Sequence, residues 1–367
     1  MSNENKGGGI DTLVGFTFGD WLRVVKENRF ALSWPYRRQW LLATLLSIRN
    51  SRLRKKEMAR FGRQIEEAIV RPPLFVVGHW RSGTTLLHSL LAVDEQFAYP
   101  NQFQVTFPHI FLSLAEVVQK QLADADAEKR PMDNVEVRYD SPGEDEFALA
   151  VLSLRSPVLG WMFPRRAEFY DRYLTFRDVP ADEVEAWRQA FLFFLQKLSC
   201  CHEKRLVLKS PQHTARIRLL LEMFPDAHFV HIHRHPYQVF RSTQKLYRTA
   251  VARIRVQTAS DDHLDEDIIR RYREMYDAYL AERELIPPGH LHELSFEDLE
   301  QDMVGQVREI YEHLSLGSFA AVEPKLRQYV ESMAGYQKNP HQPLPDDVKQ
   351  RLFTAWQPMF EAFGYEA

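Results

Sequence analysis

Cysteine is almost absent: the 367 residues hold 2, and they are neighbours, Cys200 and Cys201. Adjacent thiols cannot build a disulfide framework, and no other cysteine could complete a metal site with them. Two buried thiols in a reducing compartment are expected. Long apolar runs are missing as well, since none approaches the roughly 20 residues that a spanning helix needs. The opening stretch MSNENKGGGID lacks a charged segment followed by an apolar core. No secretory signal is therefore expected, and the cytoplasm is the expected compartment. Excess charge is also lacking: a formal net charge of −3 argues against a nucleic-acid partner. What remains is average for a globular chain, 45% hydrophobic and 26% charged, long enough for a large core and one to three domains.

The most informative stretch is Leu74 to Leu91, LFVVGHWRSGTTLLHSLL. Leu74, Phe75, Val76 and Val77 predict a buried strand, Gly78 to Gly83 a tight loop, and Thr84 to Leu91 a helix. Strand, GxxxxG, two hydroxyl residues and helix is the layout of a phosphate-binding loop. Successive backbone N–H groups in such a loop point at one anion, and the helix adds its positive end. One residue of the nucleotide-triphosphatase version is missing. Where that version has Lys after the second Gly, this chain has Thr84, and its cation, Arg81, comes three residues earlier. The loop is expected to hold a polyanion charged from a different side.

Residues 1–12 read as a disordered tail and 13–70 as a helical arm broken near Trp34-Pro35. Within the arm, an apolar run from Trp40 to Ile48 precedes Arg49, Arg52, Arg54, Lys55, Lys56, Arg60 and Arg63. Residues 37–63 would either lie on an anionic membrane surface or pack their Leu face on the main domain with the cations in water; the second is the expectation. The aromatic and amide-rich segment 94–112 reads as irregular chain above a sheet, with Gln102, Gln104 and His109 as its polar groups. Asp140 to Glu146 is a turn entering a helix, its acids serving as helix caps or as a general base.

Leu206-Val-Leu208 predicts a strand delivering Lys209 and Ser210, followed by a helix from His213 to Phe224. His228 to Ile232 predicts the next strand, running into Arg234, and a further helix carries Ser242. Strands alternating with helices imply a parallel sheet whose strand ends collect polar residues along one edge. The fold class expected is α/β, a P-loop-type parallel sheet flanked by helices, occupying 71–367 with a helical C-terminal region. Tyr336 to Asn339, with Lys338, reads as a loop that could close over a ligand.

At this point the chain resembles the sulfotransferases that use 3′-phosphoadenosine 5′-phosphosulfate (PAPS). GHWRSGTT resembles their 5′-phosphosulfate loop, and HIHRHPYQVFRST their 3′-phosphate motif. LVLKSPQHTARIRLLLEMFPDAHFVHIHRHP, ELSFEDLEQDM and the closing FGYEA are similar to the bacterial branch, so the resemblance covers about residues 70 to 366. It implies that Arg81, Ser82, Gly83, Thr84 and Thr85 bind the 5′-phosphosulfate, and that Arg234 and Ser242 bind the 3′-phosphate. Lys209 would sit beside the transferring sulfuryl group, with PAPS as co-substrate and no metal. Relatives often place a Glu base roughly twenty residues after the loop arginine; this chain has Asn101, Gln102 and Gln104 there. An amide cannot take a proton, so His109, Glu144 and Glu146 are the substitutes, with His109 and Glu144 leading. The acceptor would be a hydroxyl or amine, and the aromatics of 97–112 and 161–173 suggest a hydrophobic small molecule or lipid. A Mg²⁺-dependent P-loop kinase and a non-catalytic nucleotide-binding adaptor are the rival readings.

Overall fold

The computed structural model describes residues 14–115, 128–129, 136–333 and 343–366. The tail at 1–12 and the loop around Lys338 lie outside them. Five parallel strands carry the site: β1 (Leu74–Val77), β2 (Phe97–Ala98), β3 (Arg205–Lys209), β4 (His228–His233) and β5 (Leu291–Ser295). Their order in the sheet is β2-β3-β1-β4-β5. Strand alternation sends Phe75, Val77, Leu206, Leu208 and Phe229 to one core, and Leu74, Val76, Val207, Val230 and Ile232 to the other. A sheet covered on both faces explains why β1 is apolar at every position.

On the first face packs α6 (Ala181–Ser199), through Trp187, Phe191 and Phe194, and α1 (Phe18–Glu27) joins the same core through Trp21, Val24 and Val25. α3 (Thr84–Leu91) covers the second face with Leu87, Leu90 and Leu91. Register aligns the strand ends: Val76 pairs with Lys209, Val77 with His231, and His233 with Ser295. The loops that follow β1, β3, β4 and β5 therefore meet on one edge.

Four expectations need correction. The segment 94–112 is ordered, forming β2 and the short helix α4 (Gln102–Thr106) closed by an Asn101–Gln104 capping box. The helix expected from His213 is a 3₁₀ turn, Pro211–Ala215, then α7 (Ile217–Met223). Arg216 breaks them with φ −133° as its side chain turns into the core. Of the two thiols, Cys200 is half-buried and Cys201 exposed, because α6 ends there.

The arm provides the fourth correction. Pro35 breaks it as expected, and α2 (Arg37–Glu67) follows a 3₁₀ turn at Trp34–Tyr36. Of the residues α2 buries, Ala43, Ser47, Asn50, Glu57 and Gly62 are small or polar, and only Ile65 in the last turn is a large apolar one. Asn50 Nδ2 donates to the carbonyls of Val14 (2.9 Å) and Phe16 (3.1 Å), and Glu57 meets Lys197 of α6. The leucines Leu41, Leu42 and Leu45 point to solvent.

Candidate active site

The loop after β1 is held from every side. Gly78 has φ 143°, and a Cβ there would stand 2.2 Å from the Ile232 carbonyl oxygen, so β4 approaches as only glycine permits. Gly78 N–H donates to Thr214 Oγ1 at 2.7 Å, and Ser82 Oγ to the His79 carbonyl at 2.8 Å. The His79 ring, 4.9 Å between centroids from Tyr272, is buried, which lowers its pKa to about 4 and keeps it neutral. Gly83 starts α3 in the left-handed region, φ 102°, and no side chain among the described residues caps the helix's first amides. A Cβ on Gly83 would lie 2.4 Å from the ring of Phe296, the residue after β5.

Two arginines converge beside this loop. Arg81 Nε donates to Ser242 Oγ at 2.8 Å, on α8 (Pro236–Leu246). Arg234, just past β4, donates from Nη1 to the Arg81 carbonyl at 3.4 Å, its guanidinium 4.3 Å from the Phe296 ring centroid. Its buried Nε has no hydrogen-bond partner among the described residues. Burial, opposed by Glu297 and seconded by Arg81, lowers the pKa of Arg234 from the usual guanidinium value. Crowded guanidiniums, an orphaned donor and an uncapped helix start fit a ligand that brings anionic groups.

On the other flank, Lys209 at the end of β3 is buried and reaches Thr85 Oγ1 at 3.4 Å. It also forms an ion pair with Glu144. Glu144 sits at the N-cap of α5 (Asp145–Leu152) and makes no side-chain capping bond. The amides that occupy the place of the expected Glu hold this turn. Gln102 Nε2 donates to the Pro142 carbonyl at 2.8 Å, and Gly143 N–H to that of Pro100 at 2.7 Å. The next two acids are buried: Asp145 on His213, and Glu146 on Arg216 (2.6 and 3.0 Å) and Ser156 (2.6 Å).

Of the residues singled out in the sequence, the structure gathers Arg81, Ser242 and Arg234 on one side of the loop and Lys209, Thr85 and Glu144 on the other. Ser82, Gly83 and Thr84 form the turn between them. His109 lies elsewhere, 3.8 Å from Asp20 of α1, and Arg54 and Lys197 add to burial in driving its pKa well below normal. Glu146 is fully enclosed in its ion pair. Sequence reasoning missed Phe296, whose only signal is an aromatic directly after a strand. It also missed Trp80, which packs on Trp161 at 5.9 Å, itself 6.4 Å from Phe147 on α5. Trp80 directly precedes Arg81 in the chain and Phe147 follows Glu144 by three residues, and the buried Trp80 Nε1 has no described partner. Among the described residues, no group of three His, Cys, Asp or Glu side chains is placed to hold a metal ion.

The model of a sulfotransferase family matches residues 72–320. The omega-hydroxy-beta-dihydromenaquinone-9 sulfotransferases Stf3 of Mycobacterium bovis and Mycobacterium tuberculosis are each 37% identical over 357 residues, 96% of this chain and 91% of theirs. Sulfotransferase STF9 from Mycobacterium avium shares the fold with a TM-score of 0.66 at 18% identity, covering 100% of this chain and 99% of that one. Sulfotransferase STF1 from Mycobacterium tuberculosis gives 0.63 at 19%, covering 91% of each.

Proposed function

The chain belongs to the sulfotransferase family, and from that premise we propose that it transfers the sulfuryl group of PAPS to a hydroxyl on a hydrophobic, lipid-like acceptor. The observation that carries the reading is the Lys209–Glu144 pair beside Thr85 at the mouth of the phosphate loop. In the transfer, a bond forms from the acceptor oxygen to sulfur as the bond from sulfur to the phosphate oxygen breaks, releasing adenosine 3′,5′-bisphosphate.

The loop amides, Ser82, Thr84, Thr85 and Arg81 bind the 5′ end of the nucleotide, and Arg234 with Ser242 the 3′-phosphate. Lys209 and the start of α3 stabilise charge that develops on the leaving oxygen; such preorganised donors are worth about 3–4 kcal/mol each. A carboxylate oxygen of Glu144 takes the acceptor's proton, replacing the base that the amides at 101–104 cannot supply. Trp80, Phe147 and Trp161, whose rings meet at 56° and 65°, offer the apolar acceptor an aromatic cluster on that side. The two Stf3 relatives are named for omega-hydroxy-beta-dihydromenaquinone-9, which supports a hydroxyl on a long apolar chain as the acceptor.

Incubation with radiolabelled PAPS tests this against hydroxylated isoprenoid quinones and short soluble alcohols. Label in the lipid fraction, lost in Glu144→Gln, is the expected result. Absence of transfer to any hydroxyl, or Mg²⁺-dependent phosphoryl transfer from ATP, would overturn it.

A further inference from the structure

Ahead of the phosphate loop in the chain, α2 faces solvent with the wrong residues for a solvated helix. Trp34 is 71% exposed, Leu45 66%, Leu41 47%, Leu42 45% and Ile48 38%. At 100° per residue, Leu45 stands about 200° from both Ala43 and Ser47, which face the protein. The stripe 41, 45, 48 therefore points straight outward and extends roughly 10 Å along the axis. Scattered exposed apolar residues are ordinary, but four within one sector of a helix, with an exposed tryptophan in the turn before it, are not scattered.

Charge completes the pattern. The same face continues past Ile48 into Arg52, Lys56 and Arg63, all exposed. Residues 37–67 carry nine lysines and arginines against three glutamates, in a chain whose net charge is −3. Glu57 is spent inward on Lys197, and Glu66 and Glu67 come only in the last turn. Between Arg37 and Ile65 the outward charge of α2 is therefore entirely positive. At the other end, the Arg37 guanidinium lies 5.2 Å from the Trp34 ring centroid.

We propose that the Trp34–Arg63 face of the arm docks on an anionic lipid bilayer. The leucines and Trp34 enter the headgroup boundary while the arginines and lysines meet lipid phosphates. No helix among the described residues is long and apolar enough to cross a membrane, so the contact is peripheral. A second copy of the arm is a poorer occupant, because a symmetric contact would set nine cations against nine. The proposal stands apart from the catalytic reading, since it needs neither PAPS nor a known acceptor.

Full-length protein is sedimented with phosphatidylglycerol–phosphatidylcholine vesicles and with phosphatidylcholine alone, at low and high salt. Leu45→Asp and the pair Arg49→Glu/Arg52→Glu are tested alongside, each first shown to keep its melting temperature and its stabilisation by adenosine 3′,5′-bisphosphate. Expected is binding to the anionic vesicles that weakens at high salt and falls at least about tenfold in each variant. Equal binding by wild type and Leu45→Asp, or no binding, overturns the proposal. So does a dimer in light scattering that Leu45→Asp abolishes. Turnover of a detergent-solubilised hydroxylated isoprenoid quinone without vesicles reads the catalytic assignment separately, so the two failures are distinguishable.

Discussion

Lys209, the last residue of β3, and Glu144, the residue before α5, form an ion pair across 65 positions of chain. Neither reaches the other by chance of side-chain length. Three consecutive acids are received by one segment: Glu144 by Lys209, Asp145 by His213, Glu146 by Arg216. Glu146 N–H also donates to Ser210 Oγ at 2.9 Å, locking the backbone itself. With its two neighbours buried and bound, Glu144 is left the one acid of the three with a solvent-facing side chain, 19% exposed.

Replacing that acid separates chemistry from binding. Glu144→Gln is expected to lower kcat at least about a hundredfold while leaving adenosine 3′,5′-bisphosphate affinity in place. His109→Ala, at the arm junction, should leave kcat far closer to wild type. Steady-state kinetics with calorimetric titration of the nucleotide checks both, and a larger kcat loss in His109→Ala would reverse the assignment.

The arginine pair governs nucleotide affinity. Arg81→Ala and Arg234→Ala should each weaken nucleotide binding by about 1.5–3 kcal/mol, the range of a hydrogen bond to a charged group. Arg234→Lys should recover little, because an ammonium replaces neither the stacked plane on Phe296 nor the fork of donors. Isothermal titration measures each loss, and unchanged affinity in Arg234→Ala would remove it from the site.

The buried Glu146–Arg216 pair positions the base without touching it. Glu146→Gln leaves a fully buried guanidinium short of its counter-charge, which typically costs about 3–5 kcal/mol in urea unfolding. Substituting both by apolar residues should return much of that stability yet leave kcat low, since Glu144 loses its fixed turn. Recovery of kcat together with stability would show the pair to be structural only.

Acid should loosen the phosphate loop before it protonates most carboxylates. His79 and His88 are buried neutral, with burial pulling their pKa values to about 4 and about 3. The unfolded chain binds these protons near pH 6.5, so below that it holds more protons than the native state. The stability tied to both groups is full above about pH 6.5 and drains as pH falls toward 4, by roughly 3 kcal/mol for His79 alone. Melting temperature should thus decline between pH 6.5 and 5, and less steeply in His88→Asn. A flat profile there would mean the rings are solvated in the native state.

The sequence by itself determined the strand–loop–helix at 74–91 and the cations at the ends of β3 and β4. These are local features: a glycine pattern dictates its own backbone, and a residue after a strand lands at that strand's end whatever surrounds it. Tertiary structure alone decided which acid meets Lys209, because Glu144, Asp145 and Glu146 are alike in sequence and differ only in the partner that packing brings. It sent His109 to Asp20 of the arm, a contact 89 positions distant that no periodicity announces. And it turned the leucines of α2 outward, since Ala43, Ser47 and Asn50 let α2 approach the protein more closely than leucines would. Apolar spacing marks a face; only packing chooses what that face meets.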